Sequence, residues 1–123
     1  MIDVLSTALS GLAAASKRVL AGANNTANAS TINYTPQDVK TTAQSPSGVK
    51  AELTPRNPAF IKSYEPESPL ADPKGYVNVP NVQLDREAVD IAQASIAYKA
   101  NAAVIKKERE MQEDLLRALD TRA

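Results

Sequence analysis

Residues 81–123 decide the fold, and they read NVQLDREAVDIAQASIAYKANAAVIKKEREMQEDLLRALDTRA. The stretch has neither proline nor glycine, and apolar residues recur in it at helical spacing from Leu84 to Leu119. It predicts one helix of about 60 Å at 1.5 Å rise per residue, with Asn81 or Asp85 as its N-cap. A compact chain of 123 residues has a radius of gyration of only about 13 to 14 Å. The helix must therefore project beyond any core of the same chain, and its apolar side needs a partner.

Two apolar rows run side by side along this predicted helix. The first row consists of Leu84, Ala88, Ile91, Ser95, Tyr98, Ala102, Ile105, Gln112, Leu116 and Leu119. The second row consists of Val89, Ala92, Ile96, Ala103, Met111, Leu115 and Ala118. Together they are wider than the seam of a two-stranded coiled coil, so we expect this helix to contact more than one neighbour.

A second, shorter helix is predicted over residues 1–29. Its apolar residues follow a heptad-like spacing of three and four, through Ile2, Leu5, Leu9, Leu12, Val19 and Ala23. Gly11 and Gly22 each weaken an isolated helix by about 1 kcal/mol relative to alanine, so its order depends on docking. We expect two sets of side chains to pack together: Ile2, Leu5, Leu9, Leu12 and Val19 on one helix, and Val89, Ile91, Ile96, Tyr98 and Ile105 on the other.

All eight prolines fall between residues 30 and 80, which excludes long helices there. Short runs at 49–53, 59–64 and 76–79 mix β-branched or aromatic residues with polar ones and are bounded by proline or glycine. They predict a small extended or β-hairpin excursion. The alternative is an unstructured linker, because residues 37–47 are polar. The predicted fold class is mainly α, with paired, coiled-coil-like terminal helices (1–29 and 81–123) and a Pro-rich middle segment (30–80).

The composition of the chain argues against a catalytic or metal-binding site. The chain has no cysteine and no histidine, which removes thiolate chemistry, soft-metal sites and the usual general base. Its 14 basic and 14 acidic residues give a net charge of zero and no surface for tracking phosphates. We therefore expect no catalytic, cofactor or metal site, no nucleic acid and no small-molecule substrate. The first residues lack a basic segment, and Lys17 and Arg18 interrupt the apolar run, so no cleavable signal peptide is expected.

Charged residues dominate the helix at 106–114. Arg109 and Glu113, and Glu113 and Arg117, are spaced i, i+4, which predicts ion pairs worth a few tenths of a kcal/mol each. These charges either form a solvated face or set the register between subunits, as e and g residues do in coiled coils. The salt dependence of assembly separates the two interpretations.

The junction after the first helix resembles a family signature. The pattern A-x-N-x-A-N-x-x-T-x-G-Y closes the N-terminal helix of bacterial flagellar axial proteins, which are rod, hook and hook-associated proteins. The matching residues are Ala23, Asn25, Ala27, Asn28, Thr31 and Tyr34. Asn33 replaces the glycine of the pattern, and asparagine is the residue after glycine that best tolerates a left-handed backbone.

Two further stretches narrow the resemblance. Residues 64–82, YEPESPLADPKGYVNVPNV, are similar to the Y-x-P-x-x-P-x-A-x-x-x-G-Y-V-x-x-P-N-V stretch of the proximal rod proteins in that family. Tyr98, Ala100 and Asn101 match the Y-x-A-N element of the family's terminal helix. The resemblance therefore covers both ends of the chain and the approach to the last helix.

The resemblance implies a structural subunit of the basal-body rod, located in the periplasm. Such subunits leave the cell through the flagellar type III export apparatus, and their terminal helices pack with copies of themselves and with other rod proteins into a tube that transmits torque. Besides the packing residues above, we expect the assembly interface to include Met111, Leu115, Leu116 and Leu119. The alternatives are another rod or hook paralogue, or a helical export adaptor or chaperone that never joins a filament.

Overall fold

The computed structural model describes residues 2–121, apart from the side chain of Ile2, so the packing expected of that side chain lies outside the described residues. The elements, in chain order, are α1 (Ile2–Ala27), β1 (Gln37–Ala43), β2 (Val49–Pro55), β3 (Phe60–Tyr64), β4 (Tyr76–Pro80) and α2 (Leu84–Asp120). Along the chain, two long helices thus flank a small antiparallel β region. The protein is mainly helical, as the sequence predicts.

Helix α2 has 37 residues and is about 55 Å long at 1.5 Å per residue. Its N-cap is Gln83, whose side chain makes no capping hydrogen bond, so the expectation of Asn81 or Asp85 as the cap was wrong. Asn81 is used elsewhere: its side-chain amide donates to the carbonyl of Pro58 at 2.9 Å. Neither helix, over its described residues, has the apolar length that a membrane crossing requires.

The two helices run antiparallel and meet along a seam of small residues. Gly11 lies against Asn101, and a Cβ atom placed on it would be 2.8 Å from Asn101 Oδ1. Gly22 lies against Ile91, where a Cβ atom would be 2.7 Å from Ile91 Cγ1. The buried apolar residues of the two helices are all alanines, namely Ala8, Ala14, Ala15, Ala21 and Ala94. Because nothing larger than a hydrogen stands at Gly11 and Gly22, the helix backbones approach closely.

This seam differs from the packing that the leucine spacing predicts. Leu9 is 57% exposed and Ile96 is 68% exposed, so neither is buried in the helix pair. Leu5, Val89 and Tyr98 are exposed too. The expected packing was wrong for these five residues, whereas Leu12, Val19, Ile91 and Ile105 are half-buried. The physical reason is that glycine and alanine allow tighter helix contact than leucine, and they repeat at the same spacing beside the leucine row.

The first hairpin, formed by β1 and β2, lies on α1. The Lys17 ammonium donates to the carbonyl of Ala51 at 2.8 Å, and the Val49 amide donates to Ser10 Oγ at 3.1 Å. Gly48 has a φ of +95° at the hairpin turn and packs directly over Ser10. Strand β2 was predicted, but β1 was not, because its sequence QDVKTTA is polar and reads as a linker.

The second hairpin pairs β3 with β4, with Tyr64 opposite Tyr76. It was predicted from its β-branched and aromatic residues, and its loop is tied by Asp72, whose Oδ1 accepts from the amides of Lys74 and Tyr76, both at 2.9 Å. Over the described residues this hairpin packs on neither helix. Its base is held instead by the amide of Asn33, which donates to the carbonyl of Asn78 at 3.1 Å.

Candidate assembly interface

The junction between α1 and β1 is a compact turn whose geometry depends on Asn33. This residue has a φ of +64° and is the one non-glycine residue with positive φ among those described. The value lies in the left-handed region, which the sequence predicted for the residue that replaces the family's glycine. The turn is closed by the amide of Tyr34, which donates to the carbonyl of Thr31 at 3.1 Å.

Asn25 connects the end of α1 to the first strand and is only 1% exposed. Its side-chain amide donates to the carbonyl of Gln37 at 2.8 Å, and its Oδ1 accepts from the Gln37 amide at 2.9 Å. The Tyr34 hydroxyl donates to the same Oδ1 at 3.2 Å. Asn25 therefore pairs with the backbone of β1 as a neighbouring strand would.

A buried ion pair ties the start of α2 to the same place. Glu87 is 2% exposed, and its Oε1 lies 2.7 Å from Arg56 Nη2 in an ion pair without an aligned hydrogen bond. Arg56 also donates to Asp38 Oδ1 at 2.7 Å and to the carbonyl of Asn81 at 2.9 Å. Because a buried carboxylate needs a partner charge, Arg56 holds Glu87 and the first hairpin together.

We call Asn25, Tyr34, Asp38, Arg56 and Glu87 the polar anchor. Glu87 Oε2 lies 3.4 Å from the Asn25 amide nitrogen, so the anchor joins α1, β1 and α2 through side chains of different elements. Burial, with the nearby Glu87 charge, raises the pKa of the Tyr34 hydroxyl above its ordinary value of 10.0. Sequence reasoning found Asn25 and Tyr34 by the family motif but missed Arg56 and Glu87, which lie in separate segments and have no shared pattern.

The other residues of the family motifs make local hydrogen bonds or are exposed. Asn28 donates to the carbonyl of Asn24 at 2.9 Å and accepts from the Thr31 hydroxyl at 3.2 Å, so both residues stabilise the turn. Ala23 and Ala27 are exposed on α1, and Tyr98 and Ala100 are exposed on α2. Asn101 donates to the carbonyl of Ala97 in its own helix at 2.9 Å, and it faces Gly11 rather than the junction.

A cleft of about 370 Å³ opens beside the polar anchor, between α1, β1 and the first turns of α2. Its walls are mainly polar and include Arg18, Arg86 and Asp90. In the described part of the chain, no group of three or more histidine, cysteine, aspartate or glutamate side chains is arranged to hold a metal ion.

One side of α1 carries its large apolar residues and lies next to the row of small residues that packs on α2. We call this side the leucine face and define it by Leu5, Leu9, Leu12, Val19 and Leu20. Leu5, Leu9 and Leu20 are exposed, and the other two are half-buried. Exposed apolar patches of this kind are typical of surfaces that contact another molecule.

The end of α2 extends past the start of α1. The first turns of α1, including Val4 and Ala8, lie beside Asn101 and Val104 of α2. Beyond them every residue from 111 to 121 is exposed, and we call 111–120 the overhang. Four large apolar side chains in it are more than half exposed: Met111, Leu115, Leu116 and Leu119. The prediction that α2 projects beyond the rest of the chain is confirmed.

The charged stretch before the overhang forms different ion pairs from those predicted. Lys107 lies 2.7 Å and Lys106 3.9 Å from carboxylate oxygens of Glu110. The expected pairs of Arg109 with Glu113 and of Glu113 with Arg117 do not form within 4.0 Å. These groups are exposed, so either set of pairs contributes only a few tenths of a kcal/mol.

Comparison with known proteins places these features in a family. Residues 74–118 match the model of the flagellar basal body rod FlgEFG protein C-terminal region. The chain is 35% identical to the flagellar basal-body rod protein FlgC of Salmonella typhimurium, over 90% of this chain and 92% of that protein. It is 33% identical to FlgC of Escherichia coli O6:H1 over the same shares. The identity to FlgC of Yersinia enterocolitica is 32%, over 85% of this chain and 87% of the relative.

Proposed function

This chain belongs to the FlgC family of flagellar basal-body rod proteins and is a structural subunit of the rod, and we propose that its leucine face and overhang form the contacts between subunits. One observation carries the proposal. The helix pair buries small residues in its own seam, while its large apolar side chains, such as Leu9 and Leu116, stay exposed. Large apolar side chains contribute most when they are removed from water, so assembly is where they stabilise the protein.

As a basal-body rod protein, the chain is expected to assemble with other rod proteins. We propose that the interface comprises the exposed residues Leu5, Leu9, Val89, Ile96, Tyr98, Met111, Leu115, Leu116 and Leu119, with Ile2 beside them on the sequence pattern. The half-buried residues Leu12, Val19, Ile91 and Ile105 contribute to both the helix pair and its outer surface. The helix pair would then act as a coiled-coil-like unit in the wall of a tube.

The finer points of the role rest on the family resemblance. We propose that the partners are copies of this chain and other rod proteins, that the chain passes through the flagellar type III export apparatus without a cleavable signal, and that it lies in the periplasmic rod. The segments 1–29 and 81–123 would form the rod core, and 30–80 a peripheral part. Torque is transmitted by a stiff, jointly buried helix layer, and this requires no catalytic group.

The alternatives fit less well. A different rod or hook paralogue is not favoured, because the relatives that match over most of their length are named FlgC. A helical export adaptor that never joins a filament has no support in those relatives. The family is a structural component of the flagellar rod, so no observation calls for an enzymatic role.

The test replaces the overhang leucines in cells that lack their own copy of the gene. Leu115→Asp with Leu119→Asp should remove basal bodies and motility, because two carboxylates cannot be buried between subunits without partners. The matched control, Glu113→Gln with Asp114→Asn, changes charge in the same two turns and should leave both unchanged. Normal basal bodies in the leucine variant would overturn the proposal.

A further inference from the structure

Strand β1 has two edges, and β2 occupies one of them. The amide of Arg56 donates to the carbonyl of Pro36 at 2.8 Å, so the backbone groups of Pro36 and of the even-numbered residues in β1 face β2. In an antiparallel pair, the backbone groups of the residues between them point outwards. Those of Val39 and Thr41 have no hydrogen-bond partner among the described residues. The outer edge of β1 is therefore open at these two positions.

The start of this edge is already paired, and the pairing shows what the edge accepts. The side-chain amide of Asn25 donates to the Gln37 carbonyl and its Oδ1 accepts from the Gln37 amide, as a peptide group in a neighbouring strand would. Asn25 thus takes the first position of a third strand. No described residue continues that strand beside Val39 and Thr41.

The opposite edge of the hairpin is used differently, because α1 covers it. The Val49 amide donates to Ser10 Oγ, and the Ala51 carbonyl accepts from the Lys17 ammonium. Both bonds come from side chains of α1. Of the two edges of the first hairpin, the edge of β1 is therefore the one that can pair with a further strand.

The open edge faces the cleft of about 370 Å³, and Val39 and Thr41 line it together with residues of both helices. No Cα atom of β1 lies within 8 Å of one in α2. Because a strand added to a sheet lies about 4.8 Å from its neighbour, an extended backbone has room between β1 and α2. A groove between a strand edge and a helix is the arrangement that takes up peptides by strand addition. Strand β3 lacks such a wall, since the second hairpin packs on neither helix.

The charges in the cleft favour an acidic ligand. Arg56 is engaged in ion pairs with two carboxylates of the polar anchor. Arg18 and Arg86 also line the cleft, and neither has an ion-pair partner among the described residues. An acidic ligand would meet these two guanidinium groups, whereas a basic one would meet only Asp90 outside the existing ion pairs.

We propose that the cleft binds an extended, acidic segment of another protein by strand addition. Its backbone pairs with Val39 and Thr41 and continues the strand that the Asn25 side chain begins. Its carboxylates, on every second residue, pair with Arg18 and Arg86, because the side chains of a strand alternate between its two faces. The site is separate from the leucine face and from the overhang.

Two blocked peptides test the proposal on the purified, isotopically labelled full chain. In one peptide glutamate alternates with threonine, and in the other lysine replaces every glutamate. Solution NMR should show the amide signals of Val39 and Thr41 moving as the glutamate peptide is added, with a dissociation constant of about 1 mM or tighter. The lysine peptide should bind roughly tenfold more weakly or worse.

Matched proline variants separate the edge from the hairpin. Val39→Pro removes an outward amide that the hairpin does not use, and proline is tolerated at such edge positions. It should abolish binding of the glutamate peptide. Leu53→Pro, directly opposite in the register and on the other edge, should bind like the wild type. Thr41→Pro replaces Val39→Pro if the latter unfolds the hairpin.

Matched charge variants test the arginines. Arg18→Gln and Arg86→Gln should each weaken binding of the glutamate peptide by roughly threefold or more, as loss of one exposed ion pair does. Lys40→Gln is the control and should bind like the wild type, because Lys40 is exposed on β1 and alternates to the face opposite Val39.

Three results would overturn the proposal. The first is that the amides of Val39 and Thr41 do not move at about 5 mM glutamate peptide. The second is equal affinity for the lysine peptide, and the third is equal loss of binding in Val39→Pro and Leu53→Pro. Because these measurements use the purified chain, any of the three leaves the proposed rod function standing. Absence of the wild-type chain from basal bodies would overturn that function and leave the peptide result unchanged.

Discussion

The paired part and the overhang of α2 belong to one helix but bury opposite kinds of residue. In the paired part, the buried side chains are Glu87, Ala94 and Glu108, which are small or charged. In the overhang, large apolar side chains such as Leu116 lie in water. The large hydrophobic side chains of α2 are therefore not buried in the contact between the two helices of one subunit. The subunit is held by close backbone approach and a polar anchor, and the leucines are left for its neighbours.

The largest effect on subunit stability is expected at the polar anchor, from Arg56→Met. This change leaves the Glu87 carboxylate buried and unpaired, which costs about 3 to 5 kcal/mol of unfolding free energy. Denaturant unfolding of the purified chain measures it. Lys62→Met, which breaks the exposed Lys62–Asp72 pair at 3.3 Å, is the control and should cost about 1 kcal/mol or less. Equal losses of unfolding free energy in both variants would show that the polar anchor does not stabilise the helix pair.

The second effect tests the close approach of the helices. Gly22→Val places a branched side chain against Ile91, and overpacking of this kind costs about 1 to 3 kcal/mol. Ala23→Val puts the same residue one position along, where the helix is exposed, and should change the melting temperature little. If the two variants melt alike, the small-residue seam is not what sets the helix spacing.

A smaller effect is expected from Tyr34→Phe, which removes one hydrogen bond to Asn25 and should cost about 1 kcal/mol. Because the pKa of Tyr34 is raised in the folded protein, its contribution is full below the ordinary value of 10.0 and is lost as the pH rises through the folded value. The free energy of unfolding, measured against pH, should therefore fall less at alkaline pH in Tyr34→Phe than in the wild type. Tyr64→Phe, on the exposed second hairpin, should match the wild type, and an identical profile for all three would contradict the role of Tyr34.

The smallest effect on the subunit is expected in the overhang. Leu115→Ser with Leu119→Ser changes two exposed positions, so the unfolding free energy should stay within about 0.5 kcal/mol per site. The same variant should be excluded from basal bodies. Loss of several kcal/mol in the isolated chain would mean that the leucines are packed within the subunit, and the comparison of the two parts of α2 would fail.

Sequence reasoning found what depends on local pattern. The length of α2, the extent of α1, strands β2, β3 and β4 and the positive φ of Asn33 all follow from periodicity, proline and glycine placement or a family motif. It missed β1, because a polar strand in a two-stranded sheet has no hydrophobic alternation. Sequence reasoning placed the helix contact on the row of large apolar residues. The contact lies one position away on α1, where the small residues Ala8, Gly11 and Ala15 repeat with the same regularity.

The polar anchor was beyond sequence reasoning for a different reason. Arg56 and Glu87 are 31 residues apart and sit in segments whose relative position is known only once the hairpin and α2 are placed. A lone arginine after a strand, or a glutamate in the first turn of a helix, is ordinarily explained by solvent or by the helix dipole. Their pairing depends on tertiary structure, which no local pattern of residues specifies.

A side-chain-resolution map of the assembled basal-body rod would show directly which residues lie between subunits. We expect Leu115, Leu116 and Leu119 to be enclosed by a helix of another subunit, while Gly11 and Gly22 keep their contacts with Asn101 and Ile91 of the same chain. Overhang leucines that face solvent in the assembled rod would contradict it.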